Sequence, residues 1–265
     1  MSNNNIIVAN ILLIKLRLLL SLVRTRTVLI TGANQGLGLE CVKKLATEQP
    51  KFHIILRSRK LERGKETAST ITNLAEGSSI EALELDIDND DSIAQAAKYV
   101  ENKYGRLDVL FNNAGIMSVK GVSFRENMRQ VIETNAISAA CVTEAFIPLM
   151  KEAEIPRLLF MSSFFGSITY ALDPTRPYYG YDMKPYFTSK TALNMIGAQY
   201  AVQLGKEGFK VNMVDPGFRS TALNGYNERG GKASEGVLEA YRLIIDMDKN
   251  GQHATFTSTE MQHPW

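Results

Sequence analysis

The chain's 265 residues suffice for one large domain and are too few for two of ordinary size. Thirty basic against 28 acidic side chains leave a net charge of +2, and without a basic block this argues against nucleic acid as a partner. The two cysteines, Cys41 and Cys141, have no CxxC or Cys/His neighbour, which points to buried thiols in a reducing, cytoplasmic setting and to no metal site.

Residues 6–23 form an apolar run with thirteen Ile, Leu and Val residues, interrupted by Lys15 and Arg17. About 0.3–0.6 kcal/mol gained per aliphatic side chain is offset by about 2.5–3.5 kcal/mol for each charge. The first strand follows almost at once, so membrane association through 6–23 is the less favoured reading. A targeting segment or a misassigned start are the alternatives. Residues 1–26 are therefore set apart as an extension, with the domain running over 27–265.

From there strand and helix patterns alternate. Residues 27–31 read as a buried strand, 37–48 as a helix, 53–57 as a strand, followed by a polar helix to about Glu76. A third strand spans 79–85, a helix 92–104, and a fourth strand 107–111 enters Asn112-Asn-Ala-Gly115. A long helix over 125–151 precedes a strand at 157–162. A helix over 185–204 leads into a strand at 210–214 and the Pro216-Gly217 break. Six or seven strands in this order predict a single α/β domain: a doubly wound parallel sheet with helices on both faces and its sites at the carboxyl ends of the strands.

Two strings carry chemistry. Thr31-Gly-Ala-Asn-Gln-Gly-Leu-Gly38 joins the first strand to the first helix. Its Gly32, Gly36 and Gly38 suit a turn, close approach of a cofactor, and helix-on-strand packing. Asn34, Gln35 and Leu37 complete a cradle whose helix end turns free N–H groups toward a pyrophosphate. Tyr186-Phe-Thr-Ser-Lys190 puts a phenol and an ammonium one helical turn apart on one face, where the cation favours the phenolate. Tyr170, Tyr178, Tyr179 and Tyr181 have no Lys four residues on.

The TGANQGLG turn, Asn112-Asn113-Ala114-Gly115, Tyr186-x3-Lys190 and Asp215-Pro216-Gly217 together resemble the short-chain dehydrogenase/reductase family across residues 27–265. The stretches at 85–93 and 107–115 and the closing Pro264-Trp265 resemble its carbonyl reductase branch. The resemblance implies a Rossmann fold and hydride transfer between a nicotinamide and a carbonyl or alcohol. It implies Ser163, in Met161-Ser-Ser-Phe-Phe-Gly166, as the residue that holds the substrate carbonyl. Ser162 is the alternative, and strand alternation turns one of the pair away. Asn135 is implied as the residue that holds a water linking Lys190 to solvent.

At the end of the second strand, where NAD-using members carry an acid, this chain has Ser58 between Arg57 and Arg59. A guanidinium can clamp a 2′-phosphate, so the resemblance implies NADPH. Gln35 stands where NADP-preferring relatives often carry Arg or Lys. Asp86 and Ile87 are implied at the adenine and Asn113 at the adenosine pocket. Ala114, Gly115, Pro216, Gly217 and Arg219 also fall in the cofactor site, with Thr221 at the carboxamide.

The stretch from Ser163 to Tyr186 is longer than is usual in the family. Its extra tyrosines and prolines suggest a rigid border to a cleft for a bulky or aromatic small molecule. Residues 218–236, rich in Gly and Asn, read as a lid over the nicotinamide. The expected activity is NADPH-dependent reduction of a ketone or aldehyde. An NAD-dependent alcohol dehydrogenase and a non-catalytic NADP(H) sensor are the alternatives.

Overall fold

The computed structural model describes residues 24–265; the apolar run at 6–23 lies outside the described residues. Seven strands, all parallel, form one sheet in the order β3-β2-β1-β4-β5-β6-β7. They are β1 (Arg26–Ile30), β2 (Phe52–Ser58), β3 (Ser79–Glu84), β4 (Val109–Asn112), β5 (Arg157–Met161), β6 (Lys210–Val214) and β7 (Thr255–Thr257). The helices are α1 (Gly36–Glu48), α2 (Leu61–Ser69), α3 (Asp90–Tyr104), α4 (Phe124–Ile132), α5 (Ser138–Lys151), α6 (Ile168–Ala171), α7 (Lys184–Leu204), α8 (Ala233–Gly236) and α9 (Leu238–Ile245).

The central strands are apolar without alternation because both faces are covered. Within them, the two-residue period still divides the core. Leu29, Ile55, Leu110, Leu158 and Val211 join Val100 of α3, Phe146 of α5 and Leu204 of α7 in one layer. Val28, Ile54, Val109, Leu159 and Val214 join Leu45 of α1 and Ile244 of α9 in the other. Each fully buried aliphatic or Phe side chain contributes roughly 1.5–3 kcal/mol. Chain order reverses between β1 and β4, so the crevice lies at their carboxyl ends.

Three of the expected helices depart from the sequence expectation. The polar helix α2 stops at Ser69 instead of near Glu76: Thr70 and Ile71 turn their N–H groups to carbonyls three back, and Asn73 takes a left-handed conformation (φ 58°). Helix α3 starts two residues early, because the Asn89 side chain caps it by accepting from Ser92 N at 2.8 Å. The long helix at 125–151 is interrupted by a π-helical turn at Glu133–Ile137, with Asn135 at its centre.

Gly38 is where α1 meets β1. A Cβ there would fall 2.5 Å from the Gly32 carbonyl oxygen and 2.9 Å from Ala33 Cα, both backbone atoms that cannot swing aside. Gly38→Ala should therefore cost about 1–3 kcal/mol and lower Tm by roughly 2–10 °C. Calorimetry of the full chain measures this; an unchanged Tm would mean that the turn has room to spare.

Candidate active site

Gly32 and Gly36 both occupy left-handed conformations, at φ 63° and 56°. A Cβ on Gly32 would strike Ala114 Cα at 2.8 Å, so this glycine lets the β1 turn and the β4 loop touch. Gly36 is different: a Cβ there would meet nothing nearer than Thr221 Cβ at 3.8 Å. Helix α1, which begins at Gly36, has no side-chain N-cap and no acidic residue in its first turn. Open space, uncapped N–H groups and a positive dipole end fit a phosphate group.

Asn113 does not turn its amide into an adenosine pocket. Nδ2 donates to the carbonyls of Thr31 (2.8 Å) and Gly32 (3.2 Å). Thr31 Oγ1 accepts from Asn113 N (2.9 Å) and Ala114 N (3.0 Å). Asn113 thus holds the turn, and Thr31, to which the sequence reading gave no role, is its partner. Ile87 is likewise packed into the core, whereas Asp86 is half-exposed.

The two arginines after β2 part ways. Arg57 is buried, its Nε donates to the Leu85 carbonyl, and Nη2 lies 3.7 Å from Asp86 Oδ1 with no hydrogen-bond partner. Burial pulls its pKa down to about 10. Ser58 is buried as well, and Arg59 is exposed. The end of β2 thus presents one solvent-facing guanidinium, Arg59, beside one buried guanidinium with a spare donor, Arg57 Nη2.

Beyond the sheet end, Ser163, Tyr186, Lys190 and Asn135 are all buried. The Ser163 hydroxyl is close enough to the Tyr186 phenol to favour its ionised form. Ser162 points the other way, 2.5 Å from Asn194 Oδ1, as alternation requires. Gly166, in the turn after Ser163, would bring a Cβ within 2.9 Å of the Lys190 carbonyl; its absence lets the serine loop sit on α7.

Lys190 Nζ donates to the Met161 carbonyl at 2.7 Å and lies 5.6 Å from the Tyr186 ring centroid. Burial lowers its pKa to about 8. The tyrosine is not acidified: burial, reinforced by the charge of Asp215, pushes its phenol above the ordinary range, against the opposing Ser163 hydroxyl. The Lys190 ammonium is turned to a backbone carbonyl and does not offset that rise. Asn135 uses its side chain structurally: Oδ1 accepts from Ile116 N (2.7 Å), and Nδ2 donates to Ile116 O (2.8 Å) and Ser189 Oγ (2.9 Å). A Cβ on Gly115 would fall 3.1 Å from Asn135 Oδ1 and 3.6 Å from Lys190 Nζ, which places these three together.

A cleft of about 350 Å³ opens beside these groups. Phe164, Phe165, Tyr178 and Phe187 form its wall, with Phe165 and Phe187 stacked at 4.2 Å. Asp215 Oδ1 accepts from Phe164 N at 3.1 Å, and Oδ2 lies 3.3 Å from His263 Nε2. The C-terminal Trp265 carbonyl accepts from Ser167 and Thr169, both at 3.3 Å. His263 escaped the sequence reading, although His-Pro-Trp at the terminus was a signal.

The segment after Gly217 (φ 69°) is tied down. Arg219 donates to the Pro216 carbonyl (2.6 Å) and pairs with Glu235 (2.9 Å), and Gly231 exchanges backbone bonds with Phe218 and Ser220. Thr221 and Asn224 form a capping box. Among the described residues no cluster of three or more His, Cys, Asp and Glu could hold a metal, and no helix is long and apolar enough to cross a membrane.

The short chain dehydrogenase family model matches residues 26–230. The chain belongs to the short-chain dehydrogenases. Among its relatives, the short-chain dehydrogenase anuI of Penicillium roqueforti is 36% identical over 224 residues, covering 82% of this chain and 86% of that one. The (+)-neomenthol dehydrogenase of Arabidopsis thaliana is 28% identical, covering 83% and 91%. The NADPH-bound carbonyl reductase from chicken fatty liver superposes with a TM-score of 0.74 at 27% identity, covering 91% of this chain and all of that one. This short-chain dehydrogenase is accordingly an oxidoreductase.

The buried ammonium of this dehydrogenase makes a signed prediction. A lysine whose folded pKa is about 8, against an ordinary 10.5, binds fewer protons folded than unfolded between those values. Stability therefore rises with pH across that window. Lys190→Met should be the more stable protein at pH 7, by on the order of 3 kcal/mol. The gap should close between pH 8 and 10.5 while turnover is lost. Denaturant unfolding of both proteins at several pH values checks it, and a pH-independent gap would contradict it.

Proposed function

We propose that the protein reduces a ketone or aldehyde with NADPH. The observation that carries this reading is the burial of Ser163, Tyr186 and Lys190 on the sheet end that also presents the glycine turn, with their chain neighbours Phe164 and Phe187 lining an aromatic cleft. When bound, the nicotinamide supplies a hydride to the carbonyl carbon. Ser163 orients the carbonyl oxygen and Tyr186 gives it a proton. A phenol kept neutral by burial and by Asp215 is in the right state to donate in this direction. Lys190 holds the ribose with the donors not spent on Met161. With Asn135's amide committed to Ile116 and Ser189, its backbone carbonyl, in the π turn, is what remains for a water that returns the proton.

Gly32, Gly36 and Gly38 would cradle the pyrophosphate with the backbone of Asn34, Gln35 and Leu37, and Thr221 would face the carboxamide. Arg59 and the spare Nη2 of Arg57 support a 2′-phosphate, and Ser58 leaves no carboxylate at the end of β2 to repel it. The NADPH-bound chicken carbonyl reductase lends the same choice of cofactor. The unpaired Cys41 and Cys141 support a reducing, cytoplasmic setting.

Tyr186→Phe should lower kcat by about 10²–10⁴ with NADPH affinity nearly unchanged, because the phenol acts in the transition state. Near-wild-type turnover would remove Tyr186 as the acid. Arg59→Ala should weaken NADPH about tenfold while sparing NADH, a loss of one charge-assisted contact. In fluorescence titrations, equal losses for both nucleotides, or tighter NADH binding by the wild type, would favour NAD-dependent alcohol oxidation. Residues 218–236 should gain hydrogen-exchange protection when NADPH is added, as a closing lid would; equal protection would make them a static loop.

A further inference from the structure

One arginine of the cleft has no ion pair among the described residues. Arg176, on the stretch between Ser163 and Tyr186, lies with Cζ 3.7 Å from the centroid of the Tyr170 ring, and both residues line the cleft. It forms no ion pair among the described residues. Asp173, three residues earlier, accepts at Oδ1 from Thr175 N and Oγ1, at 2.9 and 2.7 Å, and meets Arg176 only through space.

The other charges of the cleft are accounted for. Arg219 is paired with Glu235, and Asp215 accepts from Phe164 N and lies 3.3 Å from His263 Nε2. Glu260 lines the mouth but is exposed, where water screens it. A stacked guanidinium has its planar fork fixed by the ring beneath it, which lowers the entropy lost on binding a two-oxygen anion. Beside it, Phe164, Phe165, Tyr178 and Phe187 offer ring faces and edges in contact with one another. Phe164 follows Ser163 and Phe187 follows Tyr186 in the chain, which ties this aromatic wall to the segments that carry the groups proposed to handle the carbonyl.

We propose that the cleft selects planar aromatic ketones that carry an acidic oxygen, a carboxylate or phenolate, remote from the reacting carbonyl, and that Arg176 is the residue that binds it. The substrate class rests on the reductase reading above; the anion subsite itself does not require turnover. Tyr170 acts as a positioning residue, holding the guanidinium plane.

Calorimetric titration of the full chain, with NADP+ present, tests the proposal with two probes: 6-acetyl-2-naphthoate and the neutral 2-acetylnaphthalene. The naphthoate should bind at least tenfold more tightly. Arg176→Gln should bring the two affinities together while changing that for the neutral ketone less than twofold. Arg176→Lys, a point charge without the fork, should keep part of the preference, and Glu260→Gln should preserve or increase it. Equal affinities in the wild type, a preference that survives in Arg176→Gln, or no binding of either ketone would overturn the proposal. NADPH consumption with the same ketones tests the parent reading separately. An Arg176-dependent binding preference without turnover would refute carbonyl reduction and leave the anion subsite standing.

Discussion

The contact on which the rest depends is the meeting of the β1 turn with the β4 loop, at the point where the sheet reverses its chain order. Gly32 lies against Ala114, where a Cβ would fall 2.8 Å from its Cα, and Asn113 and Thr31 stitch the two backbones together with four hydrogen bonds. Buried backbone carbonyls need donors, and these two loops supply them to each other. That seam fixes the start of α1 on one side. On the other it fixes Gly115, which closes down on Asn135 and Lys190. Cofactor cradle and proton-handling groups are therefore registered to one another through a few backbone atoms, with no flexible connector between them.

Function here is built at the expense of stability. Lys190, Tyr186, Asp215 and His263 are all withdrawn from water within one region. Burying an ammonium or a carboxylate is unfavourable unless partners compensate, and the partners are partial: one carbonyl for Lys190, and for Asp215 one amide, with the His263 imidazole 3.3 Å away but not hydrogen-bonded. The two apolar layers of the sheet offset this, with Phe160 and Met161 on neighbouring positions of β5 anchoring opposite faces directly beneath the site. Strain concentrated at a site and relieved by the scaffold around it is the usual arrangement in enzymes.

Much of this was legible in the sequence because the signals are local. Glycines at fixed spacing, a tyrosine and lysine one turn apart, and continuous apolar strands each specify their own geometry within a few residues. The separate fates of Arg57 and Arg59 were also present in the pattern: Arg57 is two residues from Ile55, so it shares the buried α3-side face of β2, while Arg59 falls beyond the strand. Naming the two arginines together overlooked that period of two. What no local signal carried was the approach of Asp215 to His263, which depends on how the C-terminus returns across β7. The early end of α2 and the π turn were hidden for a similar reason: each is set by which backbone groups find partners, and side-chain periodicity is blind to that.

The π turn at Glu133–Ile137 has a consequence for how such a chain can change. It holds one more residue than an α-helical turn would, and on both sides the rod is committed: Thr134 and Ser138 bind Asp88 at 3.2 and 2.7 Å, and Asn135 binds Ile116. Removing any single residue from this stretch would restore regular winding and rotate one half of the rod against the other by about 100°. Either the Asp88 tether or the Asn135 tether would then face the wrong way. Substitutions can be absorbed here one side chain at a time, but a one-residue deletion cannot, so the length of this segment is under tighter constraint than its composition.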